Sequence, residues 1–214
     1  MDRSVVMPGP RHPYISVCGP LAAGKTTVAA LLAREFDWSL LLEDLDANPY
    51  LRDYYSNMPR WGFRTVTAFM VRALTLQDEV ATRLTREPIC QDWHFAEHYG
   101  IYGVHVFDEG IIDERDRQTF EELHGYLVAH APIPDLTIVL MATPEILLSR
   151  VTARRRQGEE TVPAAYVEHL VTRYTAWTAT LNGPFIVVNT GAEDVIRNQV
   201  AAARLVRQVE VALR

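Results

Sequence analysis

The chain lacks several things, and each absence narrows its function. No uninterrupted apolar stretch is long enough to cross a bilayer, so a membrane partner is not expected. There is no long run of Lys or Arg, and the net charge is −6, which argues against a polymeric nucleic acid as ligand. Cysteine is scarce: Cys18 and Cys90 stand alone, with no pair at metal-ligand or redox spacing. Two isolated thiols fit a reducing compartment and buried strand positions. The N-terminus has no apolar signal segment, so a cytoplasmic location is expected. No repeat, low-complexity block or linker divides the chain. What remains is an ordinary globular composition, 48% apolar and 22% charged over 214 residues, sufficient for one domain with a substantial core. Met1 to Pro13, with Pro8, Pro10 and Pro13, reads as a flexible tail, and 14–214 as a single domain.

Short apolar runs alternate with longer helical patterns, the signature of a parallel sheet with helices on both faces. Strands are predicted at Tyr14–Cys18, Ser39–Leu42, Pro88–Gln91, Leu136–Met141 and Phe185–Val188. Helices are predicted at Lys25–Phe36, from Trp61 to about Thr85, Asp113 to Ala129, Pro144 to Arg155 and Pro163 to Leu181. Pro144 suits a first helical turn, with Thr143 as its N-cap. The fold class expected is α/β, a P-loop NTPase-type three-layer arrangement with a five-stranded parallel sheet and an Arg-rich lid.

Gly19-Pro-Leu-Ala-Ala-Gly24-Lys25-Thr26 matches G-x-x-x-x-G-K-[ST] without a gap, with an apolar strand before it and an Ala/Leu-rich helix after it. Gly19 and Gly24 permit the backbone angles that turn successive N–H groups around a polyphosphate. The helix N-terminus adds its positive dipole end. Gly19, Ala22, Ala23, Gly24, Lys25, Thr26 and Thr27 are therefore the expected ATP-phosphate contacts. Lys25 reaches the β- and γ-phosphates, and the Thr26 hydroxyl ligates Mg²⁺.

An acidic protein that binds phosphates must gather positive charge locally, and Arg150-Val-Thr-Ala-Arg154-Arg155-Arg156 does so. Arg150 and Arg154 share a helix face, while Arg156 lies just before Gln157-Gly158, where the chain can form a flap. Guanidinium forks on a closing lid at 150–160 would stabilise a migrating phosphoryl group. The bland reading of the same residues is a solvated basic helix end that complements the helix dipole.

The order of motifs resembles the deoxynucleoside kinase family over nearly the whole chain after the tail. Glu43-Asp44-Leu45-Asp46-Ala47-Asn48-Pro49-Tyr50-Leu51 is similar to its E-P-V-x-x-N-P-Y-L segment. Tyr55 with Met58-Pro59-Arg60-Trp61-Gly62-Phe63 resembles F-Y…R-W-x-F, and Gln91-Asp92 falls at the acidic residue of D/E-R-S. Glu109-Gly110 with Arg115-Asp116 resembles G…R-D-Y. Pro134-Asp135-Leu136, Arg150, Arg154, Arg156 and Glu159 match the strand-to-lid region.

The resemblance implies ATP and Mg²⁺ as cofactors, a homodimer and a nucleoside-like small molecule as acceptor. Glu43 would be the general base for the substrate 5′-hydroxyl, beside Lys25, Arg150, Arg154 and Arg156 as charge stabilisers. Asp92 would help hold Mg²⁺ with Thr26. Tyr55 and Glu159 would grip the sugar 3′-hydroxyl, and Glu193-Asp194 sits where the adenine-contacting loop follows the last strand.

The acceptor side departs from the pattern. The base-reading Gln is Val66, an Arg is Ala73 with Arg72 one place early, and D/E-R-S reads Asp92-Trp93-His94. Losing an amide and a guanidinium removes partners for a base edge. Glu97, near the family's second base-contacting acid, is carried as a substrate residue with Val66 and Trp93. Trp93 either packs in the core or stacks on a planar ring.

Two other patterns compete. His94-Phe95-Ala96-Glu97-His98 is a literal H-x-x-E-H, a zinc-protease signature without an evident third ligand. A bare pocket-lining role for His94 or His98 is the milder version. Val104-His-Val-Phe-Asp108-Glu109 reads as a short strand ending in a hydrolase-type Asp-Glu, though the resemblance places it on a helix. Trp61, Phe63, Phe69 and Met70 have helical spacing and are expected in the core. The expected function is ATP-dependent phosphorylation of a (deoxy)nucleoside or modified nucleoside. Alternatives are a kinase for another small hydroxylated metabolite, or a nucleotide-binding protein that has lost transfer activity.

Overall fold

A computed structural model describes residues 11–156 and 159–214. Its sheet consists of β1 (Tyr14–Cys18), β2 (Ser39–Leu41), β3 (Ile89–Gln91), β4 (Leu136–Met141) and β5 (Phe185–Asn189). All pairings are parallel, in the order β2-β3-β1-β4-β5, with Ile15 opposite Cys90 on one side and Leu136 on the other. β1 lies between β3 and β4, and the chain passes from one side of it to the other between those two strands. The crevice at its C-terminal edge is therefore a topological switch point, where open α/β sheets bind ligands.

The helices are α1 (Lys25–Phe36), α2 (Leu51–Tyr54), α3 (Met58–Arg83), α4 (Val104–Asp108), α5 (Glu114–His130), α6 (Pro144–Arg154), α7 (Ala164–Thr178) and α8 (Gln199–Ala212). Strand alternation sorts them into two layers. On β4, Leu136, Ile138 and Leu140 pack with Val28 and Leu32 of α1 and Leu205 and Val209 of α8. Val139 faces the other way, toward Met70 of α3, Phe120 of α5 and Leu170 and Tyr174 of α7. The expected three layers are present, and both thiols are buried. No described helix is long and apolar enough to cross a membrane.

Local signals explain most helix starts. Asn57 accepts from the Arg60 N–H at 3.2 Å, Asp113 from Arg115 and Asp116 at 2.9 Å, and Asn198 from Val200 at 3.0 Å. Thr143 stands at the N-cap of α6, but its side chain makes no capping bond.

Val104–Asp108 is helical, as the resemblance implied, and continues a π-helical turn at His98–Gly103, so the competing strand reading of Asp108-Glu109 falls away. The α8 helix was not anticipated. Residues 1–10 of the expected tail lie outside the described residues, and its last three are tied down. Arg11 grips Asp135 with two bonds of 2.9 and 3.0 Å, and the His12 N–H reaches the Leu84 carbonyl at 2.9 Å.

Candidate active site

The phosphate loop joins β1 to α1 at the switch point. Gly19 has φ 145° and Gly24 φ 102°, both in the region that excludes most side chains. A Cβ on Gly19 would lie 2.4 Å from the Leu140 carbonyl oxygen, so the close approach to β4 demands glycine as well. Ala22 holds φ 59° without that freedom, a local strain of about 1–2 kcal/mol. Gly24 caps α1 with no side-chain bond, which leaves the first-turn N–H groups of Lys25, Thr26 and Thr27 for a ligand. Lys25 is the only lysine in the sequence. Its Nζ donates to the loop carbonyls of Gly19 at 2.7 Å and Pro20 at 3.3 Å.

Asp92, just past β3, links this loop to the second strand. It accepts from Thr26 Oγ1 at 2.6 Å with one oxygen and from the Glu43 N–H at 2.7 Å with the other. Thr26 and Asp92 thus offer a pure oxygen donor set, suited to a hard divalent cation such as Mg²⁺. The Glu43 side chain is only 17% exposed. Burial pushes its carboxyl up to about 8, against the pull of Lys25, while Glu97 and Asp92 push it further. A carboxylate tuned near neutrality, at the strand end beside a phosphate loop, is equipped to take a proton from a hydroxyl.

The guanidinium groups reach this site differently. Arg150 is fastened to Thr190, donating to its hydroxyl at 3.0 Å and its carbonyl at 2.6 Å, and lies 3.5 Å from the Ala22 carbonyl. Arg154 forms a two-bond pair with Glu159, one bond measuring 2.7 Å. Arg156 pairs with Asp46 at 3.2 Å. Residues 157 and 158 of the expected flap lie outside the described residues. Glu159 was assigned to the sugar and Arg154 to the phosphoryl group, yet here they hold each other.

One cavity of about 330 Å³ runs from the loop toward α7, and Glu43, Tyr55, Val66, Trp93 and Glu97 all line it, as do Arg150, Arg154, Arg156 and Glu159. Ala23 is buried under the loop in the core. Burial and the neighbouring Glu159 carboxylate raise the Tyr55 phenol, so it stays neutral. Glu97 lines the cavity with its carboxylate already held by the protein. It is 1% exposed, and its carboxylate accepts from the Gly19 N–H at 3.0 Å, Tyr174 Oη at 2.7 Å and the His94 N–H at 3.1 Å. One oxygen braces the phosphate loop at Gly19 and meets Tyr174, and the other holds the His94 N–H.

Trp93 is buried and tilted over His98 at 4.4 Å, which settles it as wall rather than exposed platform. Its Nε1 has no hydrogen-bond partner, and neither does the Thr65 hydroxyl at the same cavity. Ala73 is buried, and Arg72 points outward, 4.0 Å from Asp44, so it does not replace the missing Arg. Glu193 pairs with Arg204, and Asp194 caps its own turn through the Ile196 and Arg197 N–H groups. Neither lines the cavity.

The H-x-x-E-H pattern holds no metal site. His94 Nδ1 accepts from the Ala96 N–H at 3.1 Å, and His98 stacks between Phe69 and Trp93. Burial lowers His94 to about 4 and His98 to about 3. Only His98 of the two lines the cavity. Phe69 also lines it, not the core position its spacing implied. Tyr102, Tyr166 and Thr190 went unnoticed, because no short motif marks them; they reach the site by tertiary packing.

A family model described as deoxynucleoside kinase matches residues 15–214. The chain belongs to the deoxynucleoside kinase family. Members of that family are phosphotransferases that act on nucleoside hydroxyl groups. The chain is similar to the deoxyadenosine/deoxycytidine kinase of Bacillus subtilis (strain 168), 27% identical over 203 residues, 94% of this chain and 93% of that one. It is also similar to the deoxyguanosine kinase of the same organism, 27% identical over 164 residues, 76% of each. A deoxyadenosine kinase from M. mycoides, solved with the products dCMP and a flexible dCDP bound, matches the fold. The TM-score is 0.80 at 22% identity, covering 92% of this chain and 99% of that one.

Proposed function

We propose that this deoxynucleoside kinase family member transfers the γ-phosphoryl group of ATP to the 5′-hydroxyl of a deoxynucleoside or modified nucleoside. The observation that carries the reading is the Asp92 clamp. One carboxylate ties Thr26 of the phosphate loop to the backbone of Glu43, which sets donor and acceptor sides in fixed relation. The loop N–H groups and Lys25 cradle the polyphosphate; Lys25 exchanges the Gly19 carbonyl for phosphate oxygens. Thr26 and Asp92 would hold Mg²⁺, which neutralises charge on the phosphates when bound. Glu43 accepts the hydroxyl proton as the acceptor oxygen attacks. Arg150 stands beside the loop, and Arg154 and Arg156 leave Glu159 and Asp46 to meet the developing negative charge. Tyr55 orients the sugar. A nucleoside ring lies against Val66, Phe69 and Trp93, with Thr65 Oγ1 and Trp93 Nε1 as free polar partners.

The relatives' names support deoxynucleosides as acceptors, and the M. mycoides enzyme was solved with a nucleoside monophosphate product. Val66 in place of an amide favours a base read by shape over one read by its edge. A homodimer and a cytoplasmic setting complete the proposal, the latter in keeping with two buried free thiols. The test is ADP release with Mg²⁺-ATP across a nucleoside panel, with Glu43→Gln in parallel. Acceptor-dependent release that disappears in the variant supports transfer. Tight ATP binding without any acceptor would leave only a nucleotide-binding protein.

A further inference from the structure

Among the described residues, one cluster of side chains converges as metal donors, and it lies outside the phosphate-transfer site. His105 on α4 and Glu109 at its C-cap are four residues apart, with the Glu109 N–H bonded to the His105 carbonyl at 3.1 Å. That spacing puts both side chains on one helix face. His169 of α7 comes up against them. One donor atom from each residue lies within 4.8 Å of the other two. His169 Nδ1 and Glu109 Oε1 are already 3.2 Å apart, near the edge of about 3.3 Å for a tetrahedron with metal bonds of about 2.0–2.1 Å.

His105 provides the second, independent observation. It is 3% exposed, yet neither Nδ1 nor Nε2 has a hydrogen-bond partner. Buried polar nitrogens are rarely left so, and a metal bond is one way to use the lone pair. Arg173 is the unfavourable neighbour, but it is bonded to Asp108 at 2.9 Å and carries its own counter-charge. Tyr166 packs edge-on to the His105 ring at 4.9 Å, and burial keeps its phenol protonated.

We infer that His105, Glu109 and His169 bind a zinc-class divalent transition metal that pins α4 to α7. Two imidazoles and one carboxylate suit such ions rather than Mg²⁺, and three protein ligands leave a fourth position for water. Glu109 and His169 are half-exposed and free to swing inward, so the buried His105 need move little. The consequence reaches the cavity. Tyr166 lies three residues before His169 on α7, lines the cavity, and packs against Tyr55 at 5.7 Å. A bound metal would hold that wall in place without touching the reacting groups.

The full chain, stripped with chelator, is titrated with Zn²⁺ and Co²⁺ in excess Mg²⁺, which occupies the oxygen-donor site at Thr26 and Asp92. One equivalent should bind, and cobalt should give the visible bands of a four-coordinate ion. Glu109→Gln and His169→Gln, both at exposed side chains, should weaken Zn²⁺ by about 100-fold or more each while leaving circular dichroism unchanged. Zinc should raise the melting temperature of the wild type but not of these variants. His130→Gln, at an exposed histidine elsewhere, should behave as wild type. His105→Ala alone could simply unfold, so the exposed variants decide. Unchanged stoichiometry and affinity in the Glu109→Gln/His169→Gln double variant, or no binding at micromolar Zn²⁺, overturns the inference.

Discussion

On the phosphate side of the cavity the polar side chains are held by one another and by the backbone: Thr26 and the Glu43 N–H with Asp92, the Gly19 N–H with Glu97, Arg150 with Thr190, while the first-turn N–H groups of α1 stay open to a ligand. On the acceptor side the wall is aromatic and aliphatic, and two buried groups, Thr65 Oγ1 and Trp93 Nε1, have no partner. The first region is a preorganised electrostatic frame whose geometry is set before a ligand arrives. The second recognises by shape, with a few polar atoms held in reserve. Under the proposed transfer, one half would supply rate and the other choice, and substitutions should separate them.

The largest effect is expected at Glu43, where the halves meet. Glu43→Gln should lower kcat by about 10²–10⁴-fold with ATP affinity retained, measured by ADP release and nucleotide titration. In the wild type, kcat/KM should climb with pH until about 8 and then level off; the variant should show no such rise. Stability should move oppositely. The folded carboxyl holds its proton up to about 8 against an ordinary 4.5, so its stabilising contribution is complete below pH 4.5 and fades as pH rises toward 8. Glu43→Gln should thus exceed the wild type by roughly 1–3 kcal/mol at pH 7.5 in chemical denaturation. A less stable variant there would contradict a buried, proton-retaining Glu43.

Gly19→Ala comes next and probes the frame alone. The added methyl meets the Leu140 carbonyl at a backbone angle alanine avoids, so about 2–4 kcal/mol of stability and about 100-fold in ATP affinity should go. Val66→Gln probes the other half. It should redistribute preference among nucleosides by about tenfold and leave the KM for ATP within about twofold. Equal shifts for donor and acceptor would show that the two regions are not separable. The smallest change is Tyr174→Phe. Removing one of three donors to Glu97 should cost about 1 kcal/mol in thermal or denaturant unfolding, with acceptor ranking preserved.

The same division governs how much the sequence discloses. Strands β1 and β4 were legible to the residue because each is an apolar run closed by a turn signal, Gly19-Pro20 after one and Pro134-Asp135 before the other. The phosphate loop was legible because its chemistry is backbone chemistry, written as glycines at fixed spacing. The motif order likewise pointed to the family. The acceptor half was not legible in this way. Whether Trp93 stacks or packs depends on His98 and Phe69 from other elements, and nothing local to Glu97 announces that Gly19 and Tyr174 will claim its oxygens. The H-x-x-E-H string is uninformative for the same reason, since burial and stacking, not spacing, determine what those histidines meet. Helix α8 carries a clear apolar face through Ala201, Leu205 and Val209, and its Asn198 cap was readable but unread.

The solitary lysine has a practical consequence. All other basic side chains apart from histidine are arginines, so an acylating reagent meets one ε-amine in the whole chain, at the phosphate loop, besides the terminal amine. Modification at that position is then a single-site footprint: nucleotide in the loop shields the amine, and its departure exposes it. Intact-mass measurement alone can follow occupancy in solution, with no engineered label.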